Sequence, residues 1–310
     1  MILTVTLNAA IDKRYVVEHV QLGEVNRVKE CSYSAGGKGL NVSRVAAIAG
    51  EKVTATGFVG GHAGDYIIEA IEGQKISSDF VKISGESRSC INIYDETTHT
   101  QTEFLEPGVF VTDVNKEEML NKYKTLVKQC SVVTISGSVP KGVDNHFYKI
   151  LIEIARQLDK KVILDTSGKL LETSLEAKPT MIKPNMDEIR ALTGKAMNSQ
   201  EELIDAAVSI HKSGIEVVMI TCGGEGSLTV CPEGIYKASI PKINAVNTVG
   251  CGDSIVAGFA VGLSRGMPMA EIIRFASAIS VANAMRMETG FYLATDMEEQ
   301  LPRIQVVKIK

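Results

Sequence analysis

The 310-residue chain is 45% hydrophobic and 23% charged, with a formal charge of −4 and no tryptophan. That balance suits a globular α/β protein with a sizeable core. It gives no electrostatic case for nucleic acid or an anionic membrane, and no run approaches the ~18 apolar residues of a membrane span. The six cysteines are scattered without a C-x-x-C pair, so reduced thiols are expected rather than a disulfide framework or a zinc site.

Met1–Leu7 lacks the basic region and cleavage site of a signal peptide. Its alternation of Leu3, Val5 and Leu7 against Thr4 and Thr6 predicts a first strand, and a cytoplasmic location is expected. Asp12 follows that strand, where an open α/β sheet places ligand-binding acids and where turn-forming acids are also common. Residues 13–35 read as short exposed strands. Gly36-Gly37-Lys38-Gly39-Leu40-Asn41 then opens a helix that Gly50 closes. The glycines permit close backbone approach to a ligand, and Lys38 and Asn41 add side-chain donors; the spacing is not that of a Walker A loop. Val53–Val59 predicts a strand and Ala63–Glu72 a helix. Residues 79–106 alternate again and are expected to join 13–35 in a small β lid, with Arg88 able to reach the cleft as a phosphate-binding fork or to remain a surface residue.

From residue 115 onward helix and strand alternate. Strands ending at Ile135, Leu164, residue 182 and Ile220 are followed by Ser136-Gly137-Ser138-Val139-Pro140, Asp165, Lys183-Pro184-Asn185 with Glu188 one turn on, and Thr221-Cys222-Gly223-Gly224-Glu225-Gly226. Polar residues after strand upon strand predict a parallel sheet with a ligand cleft along its C-terminal edge. Asn247-Thr248-Val249-Gly250-Cys251-Gly252-Asp253-Ser254 is a second glycine-rich turn. It enters a helix whose apolar face carries Val256, Phe259 and Leu263. Amides at such a turn suit an anion. Asp253 is either a helix cap or a general base. A helix over 269–287 puts Asn283 on its buried stripe, where an adenine edge or the backbone would satisfy the amide. The five histidines lack metal-ligand spacing.

Together the two glycine signatures, Thr6-Leu7-Asn8 through Asp12, the serine-glycine and Lys183-Pro184-Asn185 segments and the 221–226 turn resemble the phosphofructokinase-B branch of the ribokinase family over nearly the whole chain. Within that branch the chain looks most like the 1-phosphofructokinase and tagatose-6-phosphate kinase group. The resemblance implies a ribokinase-like three-layer α/β/α sandwich with a small β-sheet lid, one kinase domain over residues 1–310 with the lid at about 13–35 and 79–106. It implies ATP-dependent phosphoryl transfer with Mg²⁺ to a sugar phosphate, fructose 1-phosphate first and tagatose 6-phosphate second, with a non-catalytic sugar-phosphate sensor as the alternative. Asp253 would be the base and Gly250, Cys251 and Gly252 the anion hole. Asp12, Gly37, Lys38, Asn41, Arg88 and Ser138 would hold the sugar phosphate. Lys183, Asn185, Thr221, Gly223, Gly226 and Asn283 would serve the nucleotide, and Asn185 and Glu188 the magnesium through water. A homodimer through the lid edges is a further expectation. Two departures stand out: Cys251 where the family has alanine or serine, and Ala9-Ala10 where it carries proline and serine.

Overall fold

Apolar residues alternating with a period of two, separated by amphipathic stretches, make strands that bury both faces beneath helices. In the computed structural model, which describes all 310 residues, the order is β1 (Ile2–Thr6), β2 (Ala10–Val17), β3 (Glu30–Gly36), α1 (Lys38–Ile48), β4 (Val53–Val59), α2 (Gly61–Glu72), β5 (Ser77–Ser78) and β6 (Val81–Lys82). A hairpin of β7 (Arg88–Asp95) and β8 (Thr100–Leu105) leads to α3 (Asp113–Leu126), β9 (Val132–Ser136), α4 (Phe147–Gln157), β10 (Lys161–Asp165) and α5 (Gly168–Leu175). Then come β11 (Met181–Ile182), α6 (Met186–Thr193), α7 (Gln200–Lys212), β12 (Val217–Thr221), β13 (Ser227–Cys231) and β14 (Gly234–Ser239). The last elements are α8 (Cys251–Arg265), α9 (Met269–Ala284), α10 (Ala294–Gln300) and β15 (Gln305–Lys308).

The large sheet runs β15-β14-β13-β12-β11-β10-β9-β1-β4-β5, with β6 also on β4. It is parallel from β5 to β12 and antiparallel from β13 to β15. The expected parallel sheet is thus present from β5 to β12 and is extended by three antiparallel strands. The reason is local: only the short Gly223–Glu225 turn joins β12 to β13, far too little chain for a parallel crossover. Gly226 (φ 93°) makes that reversal, and a Cβ there would come within 2.0 Å of the Ala238 carbonyl oxygen on β14.

The period-two alternation divides the core in two. Leu3, Val5, Val133, Ile135, Val162, Leu164, Val218 and Ile220 point to the face covered by α3, α4, α5, α6 and α7. Ile2, Val132, Ile163, Val217 and Met219 point to the face covered by α1, α2, α8 and α9. The result is the expected three-layer α/β/α sandwich. On the second face α8 and α9 approach so closely that Gly258 has room for no side chain: a Cβ would sit 2.5 Å from the Ala276 Cα.

A separate four-stranded sheet, β3-β2-β7-β8, stands beside the large one. Its β2 and β7 are parallel and its outer pairs antiparallel. The expected lid range of 79–106 needs correction at its start. Val81 and Lys82 pair with β4, and Phe80, Val81 and Ile83 are buried in the main cores, so the small sheet takes its second half only from Arg88. Apolar burial outweighs the alternation that these residues share with the hairpin.

From β1 the chain moves out to β4 and β5 on one side and returns to β9 on the other. The C-terminal ends of β1 and β9 therefore flank a topological switch point, where open α/β sheets leave a crevice. Gly258→Ala is expected to destabilise the fold by about 1–3 kcal/mol through overpacking, despite the better helix propensity of alanine. Gly224→Ala, where a Cβ meets nothing within 4 Å, serves as the control within about 0.5 kcal/mol in a urea titration.

Candidate active site

The residues that follow successive strands meet in one cleft of about 980 Å³. Asn8 follows β1, Ser138 follows β9, Asp165 ends β10, Lys183 and Asn185 follow β11, and Thr221 ends β12; all of them line it. The N-termini of α1 and α8 supply Gly37, Lys38, Asn41, Gly250, Gly252 and Asp253, and the small sheet supplies Asp12 and Arg88.

The helix α8 begins on Gly250 in the left-handed region (φ 84°), which glycine reaches without strain. A Cβ there would lie 2.7 Å from the Gly290 amide nitrogen. Ser254 N–H donates to the Gly250 carbonyl (2.8 Å) and Cys251 N–H to that of Thr248 (3.3 Å). The donors left over are the amides of Gly250, Gly252 and Asp253, which line the cleft at the positive end of the helix. The expected trio of 250, 251 and 252 is thus shifted: the Cys251 amide is engaged. Its thiol faces α9, near the Ser280 carbonyl (3.5 Å) and the Asn283 amide (3.5 Å).

Asp253 does not cap α8; the helix has no side-chain cap. Its carboxylate is buried, 6% exposed, and Oδ2 accepts from Asn41 Nδ2 at 2.8 Å. Burial pushes its pKa up to about 6, against the opposing pull of Lys38 and Lys183. Asp12 is also pushed to about 6 by burial, offset in part by Arg44 and Arg88. Gly36 has no room for a side chain, because the Asp12 carboxyl occupies the place its Cβ would take.

Lys38 and Lys183 both pair with Asp165, each at 3.4 Å, one on either carboxylate oxygen. Burial works against the Asp165 charge, but the two ammonium groups hold its pKa below the usual carboxylate range. Lys38 in turn holds its proton more firmly than a free lysine, mainly through Asp165. Lys183 Nζ lies 3.2 Å from where a Gly252 side chain would start, against the amide turn of α8. Lys38 is thus tied to Asp165 at the end of β10, while Lys13, Arg14 and Arg88 are the cations that the small sheet brings to the cleft. Arg88 donates through Nε to the Asn8 carbonyl (3.0 Å) and through Nη1 to that of Glu106 (2.9 Å). Ser138 Oγ accepts from Asn8 Nδ2 at 3.1 Å.

Asn185 and Glu188 form a capping box on α6. Asn185 Oδ1 accepts from the Glu188 N–H (2.8 Å) and Glu188 Oε2 from the Asn185 N–H (2.9 Å). That leaves one Glu188 oxygen open in the cleft. The buried Asp165 Oδ1 has only the Lys183 ammonium against it, at 3.4 Å and without hydrogen-bond geometry. Carboxylate oxygens with free lone pairs, beside room for water, fit a hydrated Mg²⁺, which keeps several waters rather than filling a protein cage.

Three of the expected nucleotide residues lie outside the cleft lining. Asn283 is fully buried and spent on the protein: Nδ2 donates to the Val249 carbonyl (3.1 Å) and Oδ1 accepts from the Phe291 N–H (3.1 Å). It braces the glycine turn from behind, and its side chain does not line the cleft. Gly226 serves the β12–β13 reversal. Gly223 (φ 56°) sits in open space where a Cβ would touch nothing, and it lies outside the cleft lining, as Thr221 does not. Sequence reasoning noted Asp165 only as the end of a strand. Its signal was an acid closing a fully apolar parallel strand, a position without bulk water.

The model of the pfkB family carbohydrate kinases matches residues 5–295. Tagatose-6-phosphate kinase of Staphylococcus epidermidis is 40% identical over the full length of both chains. Among solved structures, a possible 1-phosphofructokinase of Thermotoga maritima superposes with a TM-score of 0.91 at 28% identity over all of both chains. Phosphofructokinase-2 of Escherichia coli gives 0.91 at 25% identity over 97% of this chain and 98% of its own. The chain has the ribokinase-like fold and belongs to the pfkB family of carbohydrate kinases, phosphotransferases with an alcohol group as acceptor.

Proposed function

We propose that the chain transfers the γ-phosphoryl group of ATP, in the cytoplasm, to a primary hydroxyl of a ketohexose monophosphate, with tagatose 6-phosphate as the acceptor. The observation that carries the chemistry is Asp253: a buried carboxylate with a pKa near 6, set among free amides and a lysine at a helix N-terminus. The choice of sugar rests on 40% identity to a tagatose-6-phosphate kinase along the whole chain. It reverses the order drawn from the sequence, which put fructose 1-phosphate first. Fructose 1-phosphate remains the second reading, on the likeness to the Thermotoga structure.

The acceptor lies between Asp12 and Asp253, with Arg88 and Ser138 near its existing phosphate. Asp253 Oδ2 stays on the Asn41 amide, and its other oxygen takes the hydroxyl proton. The sugar oxygen bonds to the γ-phosphorus as the bond to the β-phosphate oxygen breaks. The amides of Gly250, Gly252 and Asp253, with Lys183 and Lys38, face the charge that spreads over the transferring group. Thr221 and Asn185 flank the nucleotide. Glu188, Asn185 and Asp165 would hold Mg²⁺ through water, and the ion would neutralise phosphate oxygens. Closure of the small sheet excludes water, the competing acceptor.

Turnover with ATP should be highest, in kcat/KM, on tagatose 6-phosphate among tagatose 6-phosphate, fructose 1-phosphate, fructose 6-phosphate and fructose. Preference for another phosphorylated sugar keeps the mechanism and changes the name of the substrate. Silence on all four, in wild type and Asp253→Asn alike, leaves the sensor reading standing. Asp253→Asn is expected to lower kcat by about 10²–10⁴-fold. In the wild type kcat/KM should fall as the pH drops through about 6, where the base becomes protonated.

The same burial has a stability consequence. The folded state holds the Asp253 proton more tightly than the unfolded chain, so the associated stability is fully present below the unfolded pKa and lost as the pH rises through about 6. Asp253→Asn should therefore be about 1–3 kcal/mol more stable than wild type at pH 7, with the difference vanishing near pH 4; a destabilised variant at pH 7 contradicts it. Because the Cys251 thiol points to α9, Cys251→Ala should stay within about tenfold of wild-type kcat; a loss above ~100-fold means the thiol takes part in the chemistry.

The small sheet and its 18–29 connection leave Leu22 94% and Val25 84% exposed, with Phe104 and Leu105 also exposed. These side chains support a homodimer in which two small sheets cover one another. Light scattering should return twice the 33.4 kDa chain mass, and Leu22→Asp with Val25→Asp should return the single mass; a monomeric wild type removes the dimer.

A further inference from the structure

Arg44 is a buried arginine on α1, in the second turn after the glycine signature. It carries no carboxylate partner in contact. Its guanidinium is spent instead on four acceptors from four segments. Nε donates to Gln74 Oε1 (3.0 Å), Nη1 to Asn41 Oδ1 (3.1 Å) and to the Thr289 carbonyl (2.9 Å), and Nη2 to the Ala35 carbonyl (2.5 Å). Ala35 lies in β3 of the small sheet, Gln74 follows α2, and Thr289 precedes Gly290, the residue that packs against both Gly250 and Asn41.

We infer that Arg44 is a positioning residue for the phosphoryl transfer, acting through Asn41 to aim the base Asp253. The argument is one of donor and acceptor ends. An amide side chain can turn over, exchanging its oxygen for its NH₂. With Arg44 donating to Asn41 Oδ1, the amide has its oxygen fixed toward the guanidinium and its NH₂ fixed toward Asp253 Oδ2, 2.8 Å away. The inverted amide would place two donors against each other and an oxygen against the carboxylate. With Oδ2 held, only the other carboxylate oxygen is free to receive the proton of the sugar. The bonds to Ala35 and Thr289 attach the same guanidinium to the small sheet and to the loop behind the amide turn. Sugar-side wall, base and anion-binding turn are thereby set relative to one another by one planar group, a geometry that lysine cannot reproduce.

The inference rests on Asp253 being the base. Its test is a cycle of Arg44→Met, Asn41→Ala and the double variant, read in kcat, in KM for ATP and in urea midpoint, with Asp253→Asn alongside. Arg44→Met is expected to lower kcat about 10–100-fold with KM for ATP within twofold. In the Asn41→Ala background the same change should cost less than threefold, because its route to the base is already cut. Arg44→Lys should recover little of the kcat. Gln74→Leu, which touches only the Nε bond, is the variant to use if Arg44→Met fails to fold; a loss of about 2–5-fold in kcat that disappears in the Asn41→Ala background gives the same result. Additive effects in the cycle, or a loss that appears in KM for ATP and not in kcat, overturn the role of Arg44. An active Asp253→Asn overturns the base itself, whatever the cycle shows.

Discussion

Asp253 loses nearly all of its hydration at a place where the end of α8, Lys38 and Lys183 supply positive potential and Asp165 opposes it. The balance leaves its pKa near 6, ionised at neutral pH yet basic enough to take a proton. That balance depends on distances, and the distances depend on small residues. Gly39 lies over Thr6 with no room for a Cβ, so α1 sits directly on the end of β1. Gly290 does the same against Asn41, and Gly250 against Gly290. A larger residue at any of them would push the Asn41 amide and the α8 turn apart.

The N-x-x-E segment shows how a local requirement and a chemical one can share residues. Asn185 and Glu188 satisfy two amides at the start of α6, which would otherwise be unpaired. The cap also fixes both side chains at the mouth of the cleft, with lone pairs to spare. The lysine pair has a similar double character. Lys183 and Lys38 neutralise a buried acid, and Lys183 is thereby held beside the amide turn of α8.

Much of this was legible in the sequence, because it is written in strong local signals. The first strand, the glycine turns into α1 and α8, and the polar residue after each parallel strand all follow from periodicity and turn chemistry. The misreadings came where tertiary context overrode such signals. Residues 79–87 alternate like the lid strands, yet Phe80, Val81 and Ile83 found more apolar surface to bury on the large sheet. The glycines at 223 and 226 look like ligand glycines, but a sheet reversal needs Gly226 for reasons of its own. Asn283 advertises a polar need on an apolar stripe; nothing local says that Val249 and Phe291 answer it. Arg44 reads as one more basic residue on an amphipathic helix, since its partners lie as far as 245 residues away.

The two sheets also differ in what they contribute to the body of the molecule. Beyond Ala35, and Ile11 packed against the second cluster, the small sheet adds no residue to either of the two large apolar clusters. The α8 amides, Asp253 and the two lysines, by contrast, hang on the large sheet and on helices locked together at Gly258. Substitutions at the partly exposed positions of β2, β7 and β8 therefore disturb the two cores less than substitutions on the large sheet. The cleft thus has two walls of different origin, one variable and one part of the body of the molecule, joined where Arg44 grips Ala35.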